Sequence, residues 1–217
     1  MALVTLYGPP QSSYTWSALM ICAEKGISVD NQPIEFGSPD HARLHPFKKV
    51  PILVHGAVTV WETEAIGRYV DRVFDGPALQ PDNPSELALM DSWLSAIVDY
   101  YYPALVRRIV LPRLFGGPDG GPVDEADIAT AARLGAEYLD VLEAGLAEQR
   151  YLAGGSITLA DINLMPVIAY LGQMPEGQDM MVDRPNLGRW FGALKARESY
   201  RMTAPFPADP VVPDAAA

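Results

Sequence analysis

Near the start of the chain, the spacing of apolar positions changes from that of a strand to that of a helix. A short β-rich stretch, Val4 to Tyr7, stops at the turn-forming Gly8-Pro9-Pro10. From Trp16 to Ala23, apolar residues then recur at i, i+3, i+4 and i+7. This period indicates an amphipathic helix, which we expect to end at Gly26.

The pattern continues with a second strand, a polar stretch and a hairpin. Residues 30–35 have the composition of a strand, and the β-rich runs 51–54 and 58–61 flank a short turn. A helical period follows at 66–73. The predicted order is β-α-β, a variable segment, and then β-β-α, which is typical of a thioredoxin-like α/β domain. We place this domain at residues 1–75.

A change in composition marks the end of the first domain. Residues 76–84 are rich in Pro, Asp and Gly, which is typical of a linker. Strand signals vanish beyond this segment. We therefore predict an all-α second domain at 85–206, followed by a Pro/Ala tail without a pattern at 207–217.

Capping signals predict the starts of helices in the second domain. Asn83 precedes a first-turn proline, and Asp124 precedes a long apolar period. Thr158 and Asp161 have the spacing of a capping box, which we interpret as a folding signal rather than as chemistry. We expect helices to break or bend at Pro103, Pro112, residues 116–122 and Pro166.

Charge and composition narrow the range of functions. The 217 residues carry a formal net charge of −11, and 49% of them are apolar. Nucleic acid and anionic membranes bind basic surfaces, so neither is an expected partner. The sequence shows no signal peptide and no apolar run long enough to span a bilayer, so we expect a soluble cytoplasmic protein. Its single cysteine, Cys22, excludes an internal disulfide and fits a reducing compartment.

Four local motifs, in order along most of the chain, resemble the soluble glutathione transferase family. They are Leu6-Tyr7-Gly8-Pro9-Pro10-Gln11-Ser12 with the helix after it, His45-Pro46-Phe47-Lys48-Lys49-Val50-Pro51-Ile52-Leu53, Trp61-Glu62-Thr63-Glu64-Ala65-Ile66, and 151–161 followed by 184–187 and Trp190. Each motif is weak alone, whereas the four together are specific. The sequence is most similar to the serine-type phi class and its bacterial relatives. The resemblance implies the two-domain fold of that family, glutathione as co-substrate and a homodimer.

The resemblance also implies which residues bind glutathione. The Val50–Pro51 bond would be cis, so that the backbone of Val50 pairs with the cysteinyl part of glutathione. Glu62 and Thr63 would hold the γ-glutamyl group at a helix start, where free N–H groups and the helix dipole favour a carboxylate. Lys49 would contact the glycyl carboxylate, and His41 is a further candidate there. The alternatives are a helix cap at Glu62 or Thr63 and a solvated Lys49.

Ser12 aligns with the catalytic serine of the family and precedes the first helix. We expect its hydroxyl to donate a hydrogen bond to the glutathione sulfur and so to favour thiolate over thiol. Lowering a thiol pKa from ~8.5 to ~6.5 takes about 2.7 kcal/mol. A hydrogen bond to a charged group supplies roughly 1.5–3 kcal/mol, and a helix N-terminus adds ~0.3–1 kcal/mol. Ser13, Tyr14 and Tyr7 are alternative donors, and a simple helix cap is the alternative role for any of them.

The implied activity is conjugation of the glutathione thiolate to small apolar electrophiles, or reduction of organic hydroperoxides. For the electrophile pocket we name Gln11, in the loop before the first helix, together with Tyr101 and Leu105 of the fourth helix, although an aromatic run such as 100–102 is more often core than pocket. No cysteine stands at the position of Ser12, which argues against disulfide exchange. The alternative is a non-catalytic protein that keeps the fold as a carrier or as a docking module for a partner.

Two positions depart from the family pattern. His45 stands where asparagine is usual, and Lys48 stands where glycine is usual. The loop before Val50–Pro51 could therefore differ in its backbone. The three histidines of the chain lack the spacing of a metal site, and we expect no metal cofactor.

Overall fold

The computed structural model describes residues 3–206, and the tail predicted at 207–217 lies outside the described residues. The first domain contains a four-stranded sheet in the order β2-β1-β3-β4, with β1–β2 parallel and the other two pairs antiparallel. Its elements are β1 (Val4–Tyr7), α1 (Ser13–Glu24), β2 (Val29–Gln32), α2 (Pro39–Leu44), β3 (Ile52–His55), β4 (Val58–Trp61) and α3 (Thr63–Val73). The predicted thioredoxin-like α/β order is confirmed.

The second strand ends earlier than the sequence pattern predicts. It covers Val29–Gln32 rather than residues 30–35. Pro33 follows directly, and a proline has no N–H to donate to a strand ladder. The Gln32 carbonyl instead accepts a hydrogen bond of 3.1 Å from the Gly8 N–H. The end of β2 is thereby tied to the turn that leads into α1.

The second domain consists of helices joined by loops, and the isolated bridge between Tyr151 and Gly154 is the sole strand-like pairing in its described residues. The side chains of Asn83 and Asp124 accept hydrogen bonds from first-turn N–H groups, so both predicted caps are confirmed. The elements are α4 (Pro84–Ala96), a π-helical segment (Ile97–Val110), α5 (Leu111–Phe115), a 3₁₀ turn (Pro118–Gly120), α6 (Glu125–Gly145), α7 (Leu159–Leu171), α8 (Pro175–Met181), α9 (Pro185–Lys195) and α10 (Glu198–Thr203).

Prolines interrupt the long helix less abruptly than predicted. The π-helical segment contains Pro103 and joins α4 to α5 without a gap. Hydrogen bonds in a π-helix join residues five apart, and the Leu111 N–H donates in this way to the Val106 carbonyl. Pro112 lies in the first turn of α5, where no intrahelical N–H donor is needed. The helix stops at Gly116, whose φ of 87° is left-handed.

A buried carboxylate organises the start of α7. Asp161 accepts hydrogen bonds of 2.8–2.9 Å from the N–H and hydroxyl of Thr158, the Leu152 N–H and the Trp190 indole. Burial raises the pKa of the Asp161 carboxyl, and these donors oppose the rise. The capping box predicted from Thr158 and Asp161 is confirmed.

The segment between the two domains is anchored at both ends. The Nζ of Lys25, a buried residue just after α1, donates to the Asp71 carboxylate and to the backbone carbonyls of residues 76–77. Leu79 is fully buried, and its carbonyl accepts a hydrogen bond of 3.0 Å from the Leu159 N–H. The connection therefore holds the start of α7 against the first domain.

Helix α1 lies at the junction of the domains and packs against α7. The Ser17 hydroxyl is 3.1 Å from the Ser13 carbonyl and 3.3 Å from the Ile162 carbonyl in α7. Ile162 precedes Pro166 by four residues, so its carbonyl has no intrahelical N–H donor. Helix α7 nevertheless runs without a break, and Ser17 supplies a donor from the other domain.

The last described helix returns to the first domain. The indole of the fully buried Trp16 donates to the Thr203 hydroxyl over 3.0 Å. Arg197 donates two hydrogen bonds of 2.6 Å to the Glu24 carboxylate, and the Ser199 hydroxyl donates to the same group. Helix α10 thus covers one face of α1.

Candidate functional site

A cleft of about 790 Å³ opens between the first domain and the helical domain. The start of α1, the loop before β3 and the start of α3 form one wall, and the end of α4 with the π-helical segment forms the other. The cleft brings together residues that the sequence predicts for glutathione binding and thiol activation, namely Ser12, Lys49, Val50, Pro51, Glu62 and Thr63.

Ser12 is the N-cap of α1 and lines the cleft. Its Oγ accepts a long hydrogen bond, 3.4 Å, from the Thr15 N–H. The extended backbone of an N-cap residue aims its side chain at the first turn of the helix. No described residue accepts the hydroxyl hydrogen of Ser12, so that hydrogen is available to a ligand.

The alternative donors around Ser12 are less available. The Ser13 hydroxyl is hydrogen-bonded to Tyr102 and does not line the cleft. Tyr14 lines the cleft, and burial with the neighbouring Tyr102 hydroxyl raises the pKa of the Tyr14 phenol well above its usual range. Tyr7 belongs to β1, and its side chain is not part of the cleft wall. Ser12 is the donor that the geometry favours.

The loop before β3 presents its backbone to the cleft. The Val50–Pro51 peptide bond is cis, as the resemblance implies. Lys48 adopts a left-handed φ of 52°, so this chain keeps a glycine-like backbone without glycine. Lys49 and Val50 line the cleft next to the bond.

His41 lies behind this loop rather than at the cleft surface. It is fully buried, and its Nε2 is 3.0 Å from the Lys49 carbonyl oxygen. Its Nδ1 accepts a hydrogen bond of 3.2 Å from the Gly37 N–H, which requires the ring proton to be on Nε2. The direct glutathione contact predicted for His41 is therefore replaced by a hydrogen bond that fixes the Lys49 backbone.

His45 supports the same loop from the other side. It is buried, and its Nδ1 accepts a hydrogen bond of 3.2 Å from the Phe47 N–H. An asparagine side chain makes this kind of bond two residues along the chain, so His45 can replace the usual residue. The His45 ring lies 5.2 Å from the Trp61 ring, and its Nε2 is 4.0 Å from a Glu62 oxygen. Burial lowers the pKa of His45, which favours the neutral ring, and Glu62 opposes this effect.

The start of α3 offers backbone donors to the cleft. Glu62 precedes the helix with a left-handed φ of 68° and makes no side-chain cap hydrogen bond. The first-turn N–H groups therefore keep their capacity to bind an anion. Thr63, the first helical residue, is buried except for the part that lines the cleft. The Glu62 side chain is 62% exposed, so its carboxylate is free to meet a cation.

Two charged residues of α3 belong to the cleft although no site role is predicted for them from the sequence. Glu64 and Arg68 both line the cleft, and Arg68 is paired with Asp91 of α4. Burial raises the pKa of the Glu64 carboxyl, and Arg68 opposes that rise. Their spacing of four residues places them on one helix face, which is a signal that the sequence does contain.

The helical wall differs from the prediction. Tyr101 is buried and donates a hydrogen bond of 2.9 Å to the Tyr138 carbonyl, and Leu105 is fully buried in the core. Neither residue lines the cleft, whereas Tyr102 and Arg107 do. The alternative reading of the aromatic run, as core, therefore holds for Tyr101 and Leu105, and the π-helical segment decides which positions face the cleft.

Gln11 also lies outside the cleft lining. Its side chain is exposed, and its carbonyl accepts a hydrogen bond of 2.5 Å from the Tyr170 hydroxyl of α7. Gln11 therefore fixes the loop before α1 to the helical domain. Its predicted place in the electrophile pocket has no support from this geometry.

No group of three or more His, Cys, Asp or Glu side chains in residues 3–206 could hold a metal ion. No helix in that range is both long and apolar enough to cross a membrane.

Comparisons with known proteins agree with the fold. Family models described as "Glutathione S-transferase, N-terminal domain" and "Glutathione S-transferase, C-terminal domain" match residues 2–72 and 95–198. Glutathione S-transferase 3 of Zea mays is 32% identical, over 97% of this chain and 98% of that protein. The structure of glutathione S-transferase III in apo form has a TM-score of 0.83 and 32% identity, and covers 96% of this chain and 100% of its own. Glutathione S-transferase I from maize, in complex with an atrazine glutathione conjugate, has a TM-score of 0.85 and 28% identity. The match covers 93% of this chain and 96% of that chain.

Proposed function

The chain belongs to the glutathione S-transferase family, and from this premise we propose that its interdomain cleft binds glutathione and conjugates it to electrophiles, with Ser12 as the activating hydroxyl. Its curated relatives are named as glutathione S-transferases over nearly their whole length. One observation carries the assignment of residues: Ser12, the cis Val50–Pro51 bond and the start of α3 all line one cleft. These are the parts that the sequence resemblance assigns to the sulfur, the cysteinyl backbone and the γ-glutamyl group.

Glutathione would lie along the first-domain wall. The N–H and C=O of Val50 pair with the cysteinyl backbone, in the manner of an added strand. The γ-glutamyl carboxylate meets the Thr63 hydroxyl and the first-turn N–H groups of α3, where the helix dipole favours a negative charge. The exposed Glu62 carboxylate meets the amino group, and Lys49 meets the glycyl carboxylate. In this order the sulfur would lie at Ser12.

The reaction requires a thiolate and a nearby electrophilic carbon. The Ser12 hydroxyl donates a hydrogen bond to the sulfur and stabilises the anion, while the thiol proton leaves to solvent. The sulfur then attacks the electrophilic carbon. A carbon–sulfur bond forms, and the leaving group, such as chloride, departs with the electron pair of its bond. Because ionisation of the thiol gives only a modest gain in rate, most of the acceleration comes from holding both reactants together.

Replacing Ser12 tests this assignment. The variant Ser12→Ala should lower kcat for conjugation of 1-chloro-2,4-dinitrobenzene by roughly 10- to 100-fold, the effect of losing one charged hydrogen bond. The KM for glutathione should change little, because Ser12 contacts only the sulfur. The pKa of the bound thiol, followed by its ultraviolet absorbance, should rise.

The neighbouring serine provides the matched control. Ser13→Ala removes a hydroxyl one residue away that is hydrogen-bonded to Tyr102 and does not line the cleft. It should leave the thiol pKa unchanged. Unchanged turnover in Ser12→Ala, with a loss in Ser13→Ala, would move the activating role to Ser13. Absence of conjugation by the unmodified protein would instead favour a carrier function.

We also propose that the protein is a homodimer. An exposed aromatic pair supports this: Phe47 is 66% exposed, and its ring centroid lies 5.8 Å from that of the partly exposed Trp61. Exposed apolar clusters mark interaction surfaces. Phe47→Ala should shift the sedimentation equilibrium toward monomer, while Phe115→Ala, which removes another exposed ring, should leave it unchanged.

A detoxifying role in the cytoplasm completes the proposal. Conjugation consumes reduced glutathione, which reducing compartments supply. The only cysteine, Cys22, is buried and free, so the fold requires no oxidising environment. Localisation of the tagged full-length chain in the source cells would test the compartment.

A further inference from the structure

Two arginines line the cleft, and they differ in their partners. Arg68 is paired with Asp91. Arg107 forms no ion pair with any residue in 3–206, and its guanidinium lies over the Tyr102 ring, 5.5 Å from the ring centroid. The Arg107 side chain is exposed, so its charge is available to a ligand in the cleft.

The π-helical segment explains why Arg107 and Tyr102 lie side by side. In an α-helix, residues five apart differ by about 140° around the axis. The wider π-helical turn, seen in the hydrogen bond from the Leu111 N–H to the Val106 carbonyl, brings residues five apart close to one face. A cation and an aromatic ring therefore stand together on the helical wall of the cleft.

Tyr102 connects this pair to the end of the cleft where the sulfur would lie. Its ring centroid is 4.6 Å from that of Tyr14, and its hydroxyl is hydrogen-bonded to Ser13. Ser12, the proposed activating residue, directly precedes Ser13 in the chain. Tyr102 therefore lies between Arg107 and the residues that follow Ser12 at the start of α1.

We propose that Arg107 is a specificity-determining residue that recognises an acidic group, a carboxylate or a sulfonate, on the electrophile. Guanidinium binds such groups through paired hydrogen bonds, and the Tyr102 ring provides an apolar surface for the body of the same molecule. This inference rests on the proposed function and names the substrate class of that site.

The other charges in the cleft favour an electrophile whose acidic group points to Arg107. Glu62 and Glu64 stand on the opposite wall at the start of α3, where they would repel an acidic substituent. The two carboxylates of glutathione have their own proposed partners, at the start of α3 and at Lys49. The charged end of an acidic electrophile would therefore point to Arg107, which leaves its reactive carbon toward Ser12.

A pair of matched electrophiles tests the inference. The substrates are 4-chloro-3,5-dinitrobenzoate and its amide, which have the same shape and the same leaving group and differ in charge. In the variant Arg107→Met, kcat/KM for the benzoate should fall about 3- to 10-fold, the range of a partly exposed ion pair with hydrogen bonds. The value for the amide should stay within twofold, and added salt should weaken the preference for the benzoate in the unmodified protein.

Two further variants serve as controls. Arg107→Lys keeps the charge and should retain part of the preference. Arg108→Met removes an equal charge one residue along, from an arginine that is paired with Asp127 and does not line the cleft, and it should leave the ratio of the two substrates unchanged.

The outcomes separate this inference from the proposed function. Conjugation of both substrates by the unmodified protein, with no change of their ratio in Arg107→Met, overturns the inference alone. An equal loss for both substrates, with a raised thiol pKa, would assign Arg107 to the sulfur instead and also overturns it. If the unmodified protein conjugates neither substrate, the proposed function fails and the inference fails with it.

Discussion

The Ser17 hydroxyl of α1 lies 3.3 Å from the Ile162 carbonyl of α7, the acceptor that Pro166 leaves without an intrahelical donor. Ser17→Ala should therefore lower the free energy of unfolding by about 1 kcal/mol, the usual value for a buried hydrogen bond. In a Pro166→Ala background the Ile162 carbonyl regains an N–H donor, so the same substitution should have a smaller effect. Urea denaturation of the four proteins at one protein concentration measures the coupling.

A serine on the protein surface supplies the control for this cycle. The Ser92 hydroxyl donates to the Ala88 carbonyl within α4 and is exposed. Ser92→Ala should change the free energy of unfolding by less than about 0.5 kcal/mol, as for most surface substitutions. An equal loss from Ser17→Ala in both backgrounds would mean that Ser17 serves only its other acceptor, the Ser13 carbonyl.

His41 should affect glutathione binding without contacting glutathione. Its Nε2–H donates to the Lys49 carbonyl, so His41→Ala frees the loop that presents Lys49 and Val50. We expect the KM for glutathione to rise roughly 3- to 10-fold, corresponding to one hydrogen bond, with kcat nearly unchanged. His41→Gln keeps an N–H donor and should restore part of the affinity.

A second histidine outside the cleft controls for general destabilisation. His55 is bonded to the Tyr69 hydroxyl and does not line the cleft. His55→Ala should leave the KM for glutathione unchanged. A parallel fall of kcat and of thermal stability in His41→Ala would contradict the positioning role.

His45 should make folding stability depend on pH. Burial lowers its pKa in the folded protein, so the unfolded chain binds the proton more tightly. Its contribution to stability is therefore complete above the unfolded pKa of ~6.5 and is lost as the pH falls toward the folded value. Each unit of difference in pKa corresponds to about 1.4 kcal/mol.

Asparagine at position 45 keeps a hydrogen-bond acceptor for the Phe47 N–H but does not titrate. The free energy of unfolding of the unmodified protein, minus that of His45→Asn, should fall between pH 7.5 and pH 5. A difference that stays constant with pH would show that His45 has the same proton affinity in both states.

Cys22 should be inert in the native protein. Burial raises the pKa of its thiol to about 12, so the thiolate that reacts with alkylating reagents is scarce. Relative to a free cysteine of pKa ~8.5, labelling by iodoacetamide at pH 8 should slow by about three orders of magnitude. Labelling in denaturant should be complete, and the variant Cys22→Ala sets the background. Native labelling at the denatured rate would contradict the burial of this thiol.

Local signals in the sequence were sufficient for most of the fold. The helix starts at Asn83, Asp124 and Thr158 follow from hydrogen bonds within one turn, which depend on neighbouring residues only. The end of β2 at Gln32 was also readable, because Pro33 cannot donate to a ladder. The prediction of a strand over residues 30–35 rests on residue composition and does not count the backbone N–H donors that a strand needs.

The helical wall of the cleft could not be read in the same way. The aromatic run is visible in the sequence, but the positions that face the cleft are set by the π-helical segment, which turns Tyr102 and Arg107 to it. The contacts of this segment with α6 and α7 join residues far apart in the chain, which a local pattern does not reveal. The hydrogen bond from Ser17 to Ile162 is invisible for the same reason, since its partners are 145 positions apart.

The packing of α10 over α1 has a consequence for the order in which the protein folds during its synthesis. Trp16 is synthesised 187 residues before its indole partner, Thr203. The first domain is therefore synthesised before the residues that pair with Trp16 and Glu24. The surface of α1 is covered only when Arg197 and α10 pack against it. Although nascent domains commonly fold one after another, the first domain of this protein would be completed only after α10 has been synthesised.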